Sequence, residues 1–163
     1  MTLHTLSILV EDHPGALSRI SGLFSRRGYN IGSLAVGPCE SAGLSRITIT
    51  VTGDDAQVEQ VRKQASKLID VIRVSDMTGT PRVERELALI RVTAGPGAPQ
   101  AEIMQIAQTF QAAVVDIGSA SVLLEVTGDT GKIDATERLL RRYGVRECTR
   151  TGKIAARREE KDT

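Results

Sequence analysis

Residues 6–31 read LSILVEDHPGALSRISGLFSRRGYNI, and this stretch decides the fold. Leu6, Ile8 and Val10 alternate with Thr5, Ser7 and Leu9, the pattern of a strand with one buried face. Glu11-Asp12-His13-Pro14-Gly15 ends the alternation. Leu17, Ile20, Leu23 and Phe24 then recur at helical spacing, and Arg19, Arg26 and Arg27 fall between them where they can face water. Pro14 is expected in the first turn of this helix, where its missing N–H would have had no partner anyway. Gly28 is the stop, because glycine tolerates the left-handed conformation that follows a helix. Ile31 opens a second strand.

The turn between strand and helix has chemistry of its own. The N–H groups of Gly15, Ala16 and Leu17 open a helix and lack intrahelical acceptors. A carboxylate placed there gains hydrogen bonds and the favourable end of the helix dipole. Gly15 lets a ligand approach the backbone closely. Asp12 can accept from an ammonium group, and so can the side-chain amide oxygen of Asn30. The turn is thus equipped to hold an amino acid. A capping Asp12 and a plain Pro-Gly turn account for the same residues.

Further along, Ile31 to Val36 reads as the second strand, and residues 37–43 turn the chain. Ile47, Ile49 and Val51 alternate with Arg46, Thr48, Thr50 and Thr52 in a third. Gly53-Asp54-Asp55 ends it and caps a helix carrying Val58, Val61, Ala65 and Leu68. Val71, Ile72 and Val74 form a fourth strand. The order is β-α-β-β-α-β. Gly79, Thr80 and Pro81 mark a linker over residues 77–84.

The second half repeats that order. Leu87 to Thr93 is a strand, and Ala94 to Pro99 a glycine-rich turn. Ile103, Ile106, Ala107 and Phe110 form a helix, and Val114, Val115 and Ile117 a strand. Val122, Leu124 and Val126 alternate in the next strand. Thr127-Gly128-Asp129 then echoes Thr52-Gly53-Asp54 at the same place in the unit. Ile133, Leu139 and Leu140 belong to a helix, and Val145 to Thr149 is the last strand. The reading is an α+β fold of two tandem ferredoxin-like βαββαβ domains, over residues 1–76 and 85–155. The charged tail, residues 156–163, is expected to fray. Each unit is small for independent stability, so dimerisation is a physical expectation.

Composition bounds the function. Lys and Arg number 21 against 20 Asp and Glu, a balance that argues against a nucleic-acid surface covering the whole protein. No apolar run is long enough to span a bilayer and the start of the chain has no secretory pattern, which leaves the cytoplasm as the expected compartment. Cys39 and Cys148 fall in no Cys-x-x-Cys pattern, so two free thiols are expected rather than a metal or redox site. His13 reads as a solvated loop residue. No phosphate-binding loop appears. Gly95-Pro96-Gly97 lacks the third glycine of a dinucleotide fingerprint and reads as a plain turn. No catalytic residue and no metal ligand is therefore expected. The β-α-β-β-α-β order also occurs in RNA-recognition modules, but those need aromatic side chains on the sheet to stack bases. An acyl-phosphatase-like enzyme would need an arginine and asparagine pair that is not evident.

Residues 6–19 and 23–31 resemble the ACT domain of the small regulatory subunit of acetolactate (acetohydroxyacid) synthase. Ser33 to Val36, Leu44 to Ile49, Gln60, Lys63-Gln64, Lys67-Leu68 and Asp70-Val71 continue the likeness. Val83 to Leu87, Asp116-Ile117 and Thr130 to Ala135 resemble that family's second domain. The resemblance implies that the first domain is an ACT domain. It also implies a chain without a reaction centre of its own, which activates a large catalytic subunit and confers feedback inhibition by valine. That subunit, a transferase of branched-chain amino-acid biosynthesis, would carry thiamine diphosphate, magnesium and FAD, with no cofactor on this chain. The family places its effector between two paired ACT domains. Transferred to this sequence, Asp12, Pro14, Gly15, Ala16 and Leu17 would come from one chain, with Asn30 and Ile31 from the other. The implied partners are a second copy, the large subunit and valine, with no nucleic acid and no membrane. Asp12 stands where the family often has Asn, and Gly32 where it often has Glu. Arg46 is a candidate contact with the large subunit, though a plain solvated sheet face explains it equally well. An ACT regulator of a different amino-acid enzyme is the alternative.

Overall fold

The computed structural model describes residues 1–95 and 98–159, with the side chain of Ala98 left aside. Pro96 and Gly97, within the glycine-rich turn expected from sequence, and residues 160–163 lie outside the described residues. Contacts divide the chain into two units, Met1–Val83 with the segment from Lys153, and Glu84–Gly152.

In the first unit the elements are β1 (Thr2–Glu11), α1 (Ala16–Arg26), β2 (Ile31–Pro38), β3 (Leu44–Gly53), α2 (Asp55–Ala65) and β4 (Val71–Asp76). The strand order is β2-β3-β1-β4, and every neighbouring pair is antiparallel. Leu6, Ile8 and Val10 of β1 and Ile47, Ile49 and Val51 of β3 point to one face and are buried. Ile20, Leu23 and Phe24 of α1 and Val58, Val61 and Ala65 of α2 cover that face. Period-2 strands thus meet period-3.6 helices with their apolar sides facing, and aliphatic burial supplies most of the stabilisation. Phe24 is fully buried and meets Tyr29 edge-on at 6.4 Å between ring centres.

In the second unit the sheet is β6 (Ala113–Ile117), β7 (Ser121–Gly128), β5 (Arg82–Thr93) and β8 (Val145–Arg150), in that order and again antiparallel. Helices α3 (Ala98–Thr109) and α4 (Thr130–Leu140) contribute Ile103, Ala107, Ile133 and Leu140 to its core. The same topology twice is the tandem α+β arrangement expected from the repeat. The echoed Thr-Gly-Asp triplets have one physical cause. Asp54 Oδ1 accepts from Gln57 N–H and Asp129 Oδ1 from Lys132 N–H, each at 2.8 Å, so each caps the helix after the third strand of its unit.

Four local readings change. Residues 82–84, expected in the linker, begin β5. Residues 156 and 157, expected in the frayed tail, lie in a ninth strand, β9 (Ile154–Arg157), which pairs with β5. Arg158 N–H donates to Pro81 C=O at 3.0 Å beside it. Each strand is stabilised by the other, a pairing across some seventy residues that local pattern does not report. The segment from Lys153 also clusters with the first unit rather than the second. Finally, Phe110, expected on the core face of α3, follows the helix end and is half-buried.

Candidate functional site

The turn from Glu11 to Ala16 is shaped by two residues. Ala16 N–H donates to His13 C=O at 3.2 Å, and Gly15 has φ +87° and ψ −7°. Those are the marks of a type II turn, with Pro14 at the position that favours proline and glycine where φ must be positive. Pro14 therefore precedes α1 and does not occupy its first turn. Gly15 is the N-cap, and no side chain caps this helix. Asp12, one of the two explanations open for this turn, is not a cap. Its N–H donates to Gly43 C=O at 2.9 Å and its side chain is exposed.

This alters the inventory of free donors. Ala16 N–H is used within the turn and the Ala16 side chain is buried. The N–H groups of Leu17 and Ser18 have no acceptor among the described residues, and the first regular helical bond is Arg19 N–H to Gly15 C=O at 3.0 Å. Two adjacent N–H groups still point out of the helix start toward solvent, where an anion gains both hydrogen bonds and the helix dipole. Leu17 is 42% exposed beside them and offers an apolar contact.

Arg19, expected to face water, has a partner across the unit. Its Nε donates to Asp70 Oδ2 at 2.7 Å, and a terminal nitrogen also bonds that oxygen. The Asp70 side chain is only 8% exposed, and its backbone C=O accepts from Glu11 N–H at 2.8 Å. One residue in the loop before β4 thus holds both the end of β1 and the first turn of α1. The Arg19 guanidinium lies over the turn, 3.3 Å from where a Cβ on Gly15 would stand. The separation of four residues between Gly15 and Arg19 was the available signal, since it places them on one helix face.

His13 is exposed, with Nε2 2.9 Å from Glu11 Oε2. Ligating atoms of Glu11, His13 and Asp70 fall within 4.8 Å of one another. Asp70 is already neutralised by Arg19, which disfavours a cation there. Cys39 and Cys148 are free thiols. Burial, then the nearby Glu137 carboxylate, pushes the Cys148 thiol above its ordinary value.

Asn30 and Ile31 lie beyond the other end of α1, with Asn30 exposed and Ile31 half-buried. The helix has 11 residues, about 16 Å at 1.5 Å per residue. One chain therefore brings Asp12, Pro14, Gly15, Ala16 and Leu17 together but leaves Asn30 and Ile31 away from them. Among the described residues, no aromatic side chain lies on a sheet strand: Phe24 is in α1, Tyr29 precedes β2, Phe110 follows α3 and Tyr143 is in a short 3-10 turn. The base-stacking requirement of an RNA-recognition sheet is not met.

Comparison with known proteins agrees with this architecture. Residues 6–73 match the family model of the AHAS small subunit-like ACT domain, and residues 85–159 match that of the small subunit of acetolactate synthase. The chain is 51% identical over 158 residues to the probable acetolactate synthase small subunit of Archaeoglobus fulgidus, covering 97% of this chain and 98% of that protein. It is 46% identical over 156 residues to the acetolactate synthase small subunit of Aquifex aeolicus, covering 96% and 81%. The crystal structure of the small subunit from Thermotoga maritima superposes with a TM-score of 0.90 at 39% identity, covering 98% of this chain and 99% of that one.

Proposed function

This chain belongs to the acetolactate synthase small-subunit family, and we propose that it raises the activity of the catalytic large subunit and makes it sensitive to valine. The observation that carries the effector reading is the start of α1, where Leu17 and Ser18 N–H are free beside an apolar side chain and an exposed Asp12. The free N–H groups suit the carboxylate of an amino acid, Asp12 its ammonium and Leu17 its aliphatic side chain. On this reading the chain is a non-catalytic, cytoplasmic regulator. Thiamine diphosphate, magnesium and FAD belong to its partner.

A dimer of the first unit supplies the missing half of the pocket. β2 is an edge strand, with Ile31 opposite Val51 at one end and Pro38 opposite Ser45 at the other. Ser45 also faces Val10, so the Pro38 end is the end at which β1 hands over to α1. Two β2 edges related by a two-fold axis run antiparallel. Ile31 and Asn30 of one chain then approach the Pro38 end of the other, toward its Asp12-to-Leu17 turn. Inhibition follows if valine binds one arrangement of this dimer better than another and the large subunit responds to that preference.

The test is valine inhibition of the reconstituted enzyme with wild-type chain and Gly15→Asp. The expected outcome is weakened inhibition with subunit association retained, because the added carboxylate repels the effector's own. Unchanged valine sensitivity in that variant would sink the site assignment. Calorimetric titration with valine, leucine and isoleucine tests selectivity and stoichiometry directly.

A further inference from the structure

A cavity of about 230 Å³ lies in the first unit, on the face of the sheet away from the helices. It is lined by Ser7, Leu9, Arg46, Arg73, Ser75 and Arg157 among others. The register explains the convergence. Leu9 of β1 stands opposite Arg46 of β3 on one side and Arg73 of β4 on the other. Two arginines thus flank one apolar residue in a single row, with Cα atoms about 10 Å apart across two strand spacings. The next row sets Ser7 opposite Ser75. Strand β9 adds Ala155, Ala156 and Arg157 to the lining.

Among the described residues, charge in this cavity is unbalanced. Arg46 donates to Glu40 at 3.0 Å, and the Glu40 carboxyl is held below its usual range by its own backbone N–H first and then by Arg46. Among the described residues, Arg157 donates to the backbone C=O of Asp76, at 3.4 Å, and to no carboxylate. Arg73 has no carboxylate within ion-pair distance among the described residues. Among the described residues, three guanidinium groups face one carboxylate; they repel one another, and an anion bound among them removes that cost. Planar guanidinium forks and two hydroxyls match the oxygens of a tetrahedral oxyanion. The volume of about 230 Å³ accommodates a small group of this kind.

We propose that this cavity is a binding site for a phosphoryl oxyanion, with Arg46, Arg73 and Arg157 as its cationic ligands and Ser7 and Ser75 as neutral donors. It is separate from the turn at Asp12 to Leu17 and does not rest on the valine reading.

The experiment is calorimetric titration of the full chain with inorganic phosphate, pyrophosphate and phenyl phosphate at constant ionic strength set with chloride. Saturable binding at one site per chain is expected. Arg73→Gln and Arg157→Gln should each weaken it about tenfold or more, the loss of one charge-assisted contact. Arg91→Gln, in the second unit beside Asp116 and Glu147, should leave it unchanged. Arg73 and Arg157 are both exposed, so neither variant disturbs the core, and unchanged circular dichroism verifies this. Tighter binding of phenyl phosphate than of phosphate identifies an ester as the natural source, and the reverse a free anion. No saturation by about 10 mM of any of the three would overturn the proposal. So would equal binding in Arg73→Gln, or loss of large-subunit affinity in that variant with no anion binding in the wild type, which would make the cavity a protein contact.

Discussion

Arg19 Nε donates to Asp70 Oδ2 at 2.7 Å, joining the first turn of α1 to the loop before β4. The two partners are unequal, because the Asp70 side chain is 8% exposed and that of Arg19 47%. Removing the arginine strands a buried carboxylate, whereas removing the carboxylate frees an arginine that water can solvate. Arg19→Met is expected to cost about 1–2 kcal/mol, discounted for the solvent around Arg19, and Asp70→Asn less. Urea denaturation of both variants checks the order. Equal losses would show that Asp70 gains more from other neighbours than from Arg19.

Gly15 occupies a conformation that residues with a side chain resist, at φ +87°, and a Cβ there would crowd the Arg19 guanidinium at 3.3 Å. Gly15→Ala should lower stability by about 1–2 kcal/mol through backbone strain alone. The measurement is the same denaturation series. Ser18→Ala, one turn further into the same helix start and exposed, is the control expected to stay near wild type.

The two capping aspartates offer a test of the repeat. Asp54→Ala and Asp129→Ala should each cost about 1 kcal/mol by leaving helix-start N–H groups without their acceptor. The two sites lie in separate units and share no partner, so in the double variant each unit keeps its own loss. Hydrogen exchange at Gln57 and Lys132 N–H should accelerate only in the variant that removes the matching cap.

Cys148 yields a pH prediction. Burial raises its thiol above the ordinary value, so less thiolate is present at a given pH, and the thiolate is the reactive form. Alkylation of Cys148 by iodoacetamide near pH 8 should be slower than for an unstructured cysteine peptide, and its rate should still be climbing where the peptide has levelled off. Mass spectrometry of the modified peptide over a pH series reads this. A matching profile would show that the thiol is not desolvated as described.

Much of this was legible in the chain itself. Alternation at Leu6, Ile8 and Val10, helical spacing at Ile20, Leu23 and Phe24, and the echoed Thr-Gly-Asp triplets each report on neighbours within one element or one turn. Such short-range patterns depend on side-chain periodicity, which a sequence displays directly. They determined the element order, its repetition, the buried faces and the position of the Pro-Gly turn. The tertiary structure decided what depends on residues far apart in the chain. It moved Pro14 out of the helix, because the turn closes through His13 C=O and Ala16 N–H. It paired Arg19 with Asp70 across 51 positions, and it made residues 154–157 a strand by setting them beside β5. Arg46, Arg73 and Arg157 became neighbours only through register and that added strand. Periodicity shows which side of an element turns inward; which distant charge or edge it then meets depends on how the sheet closes.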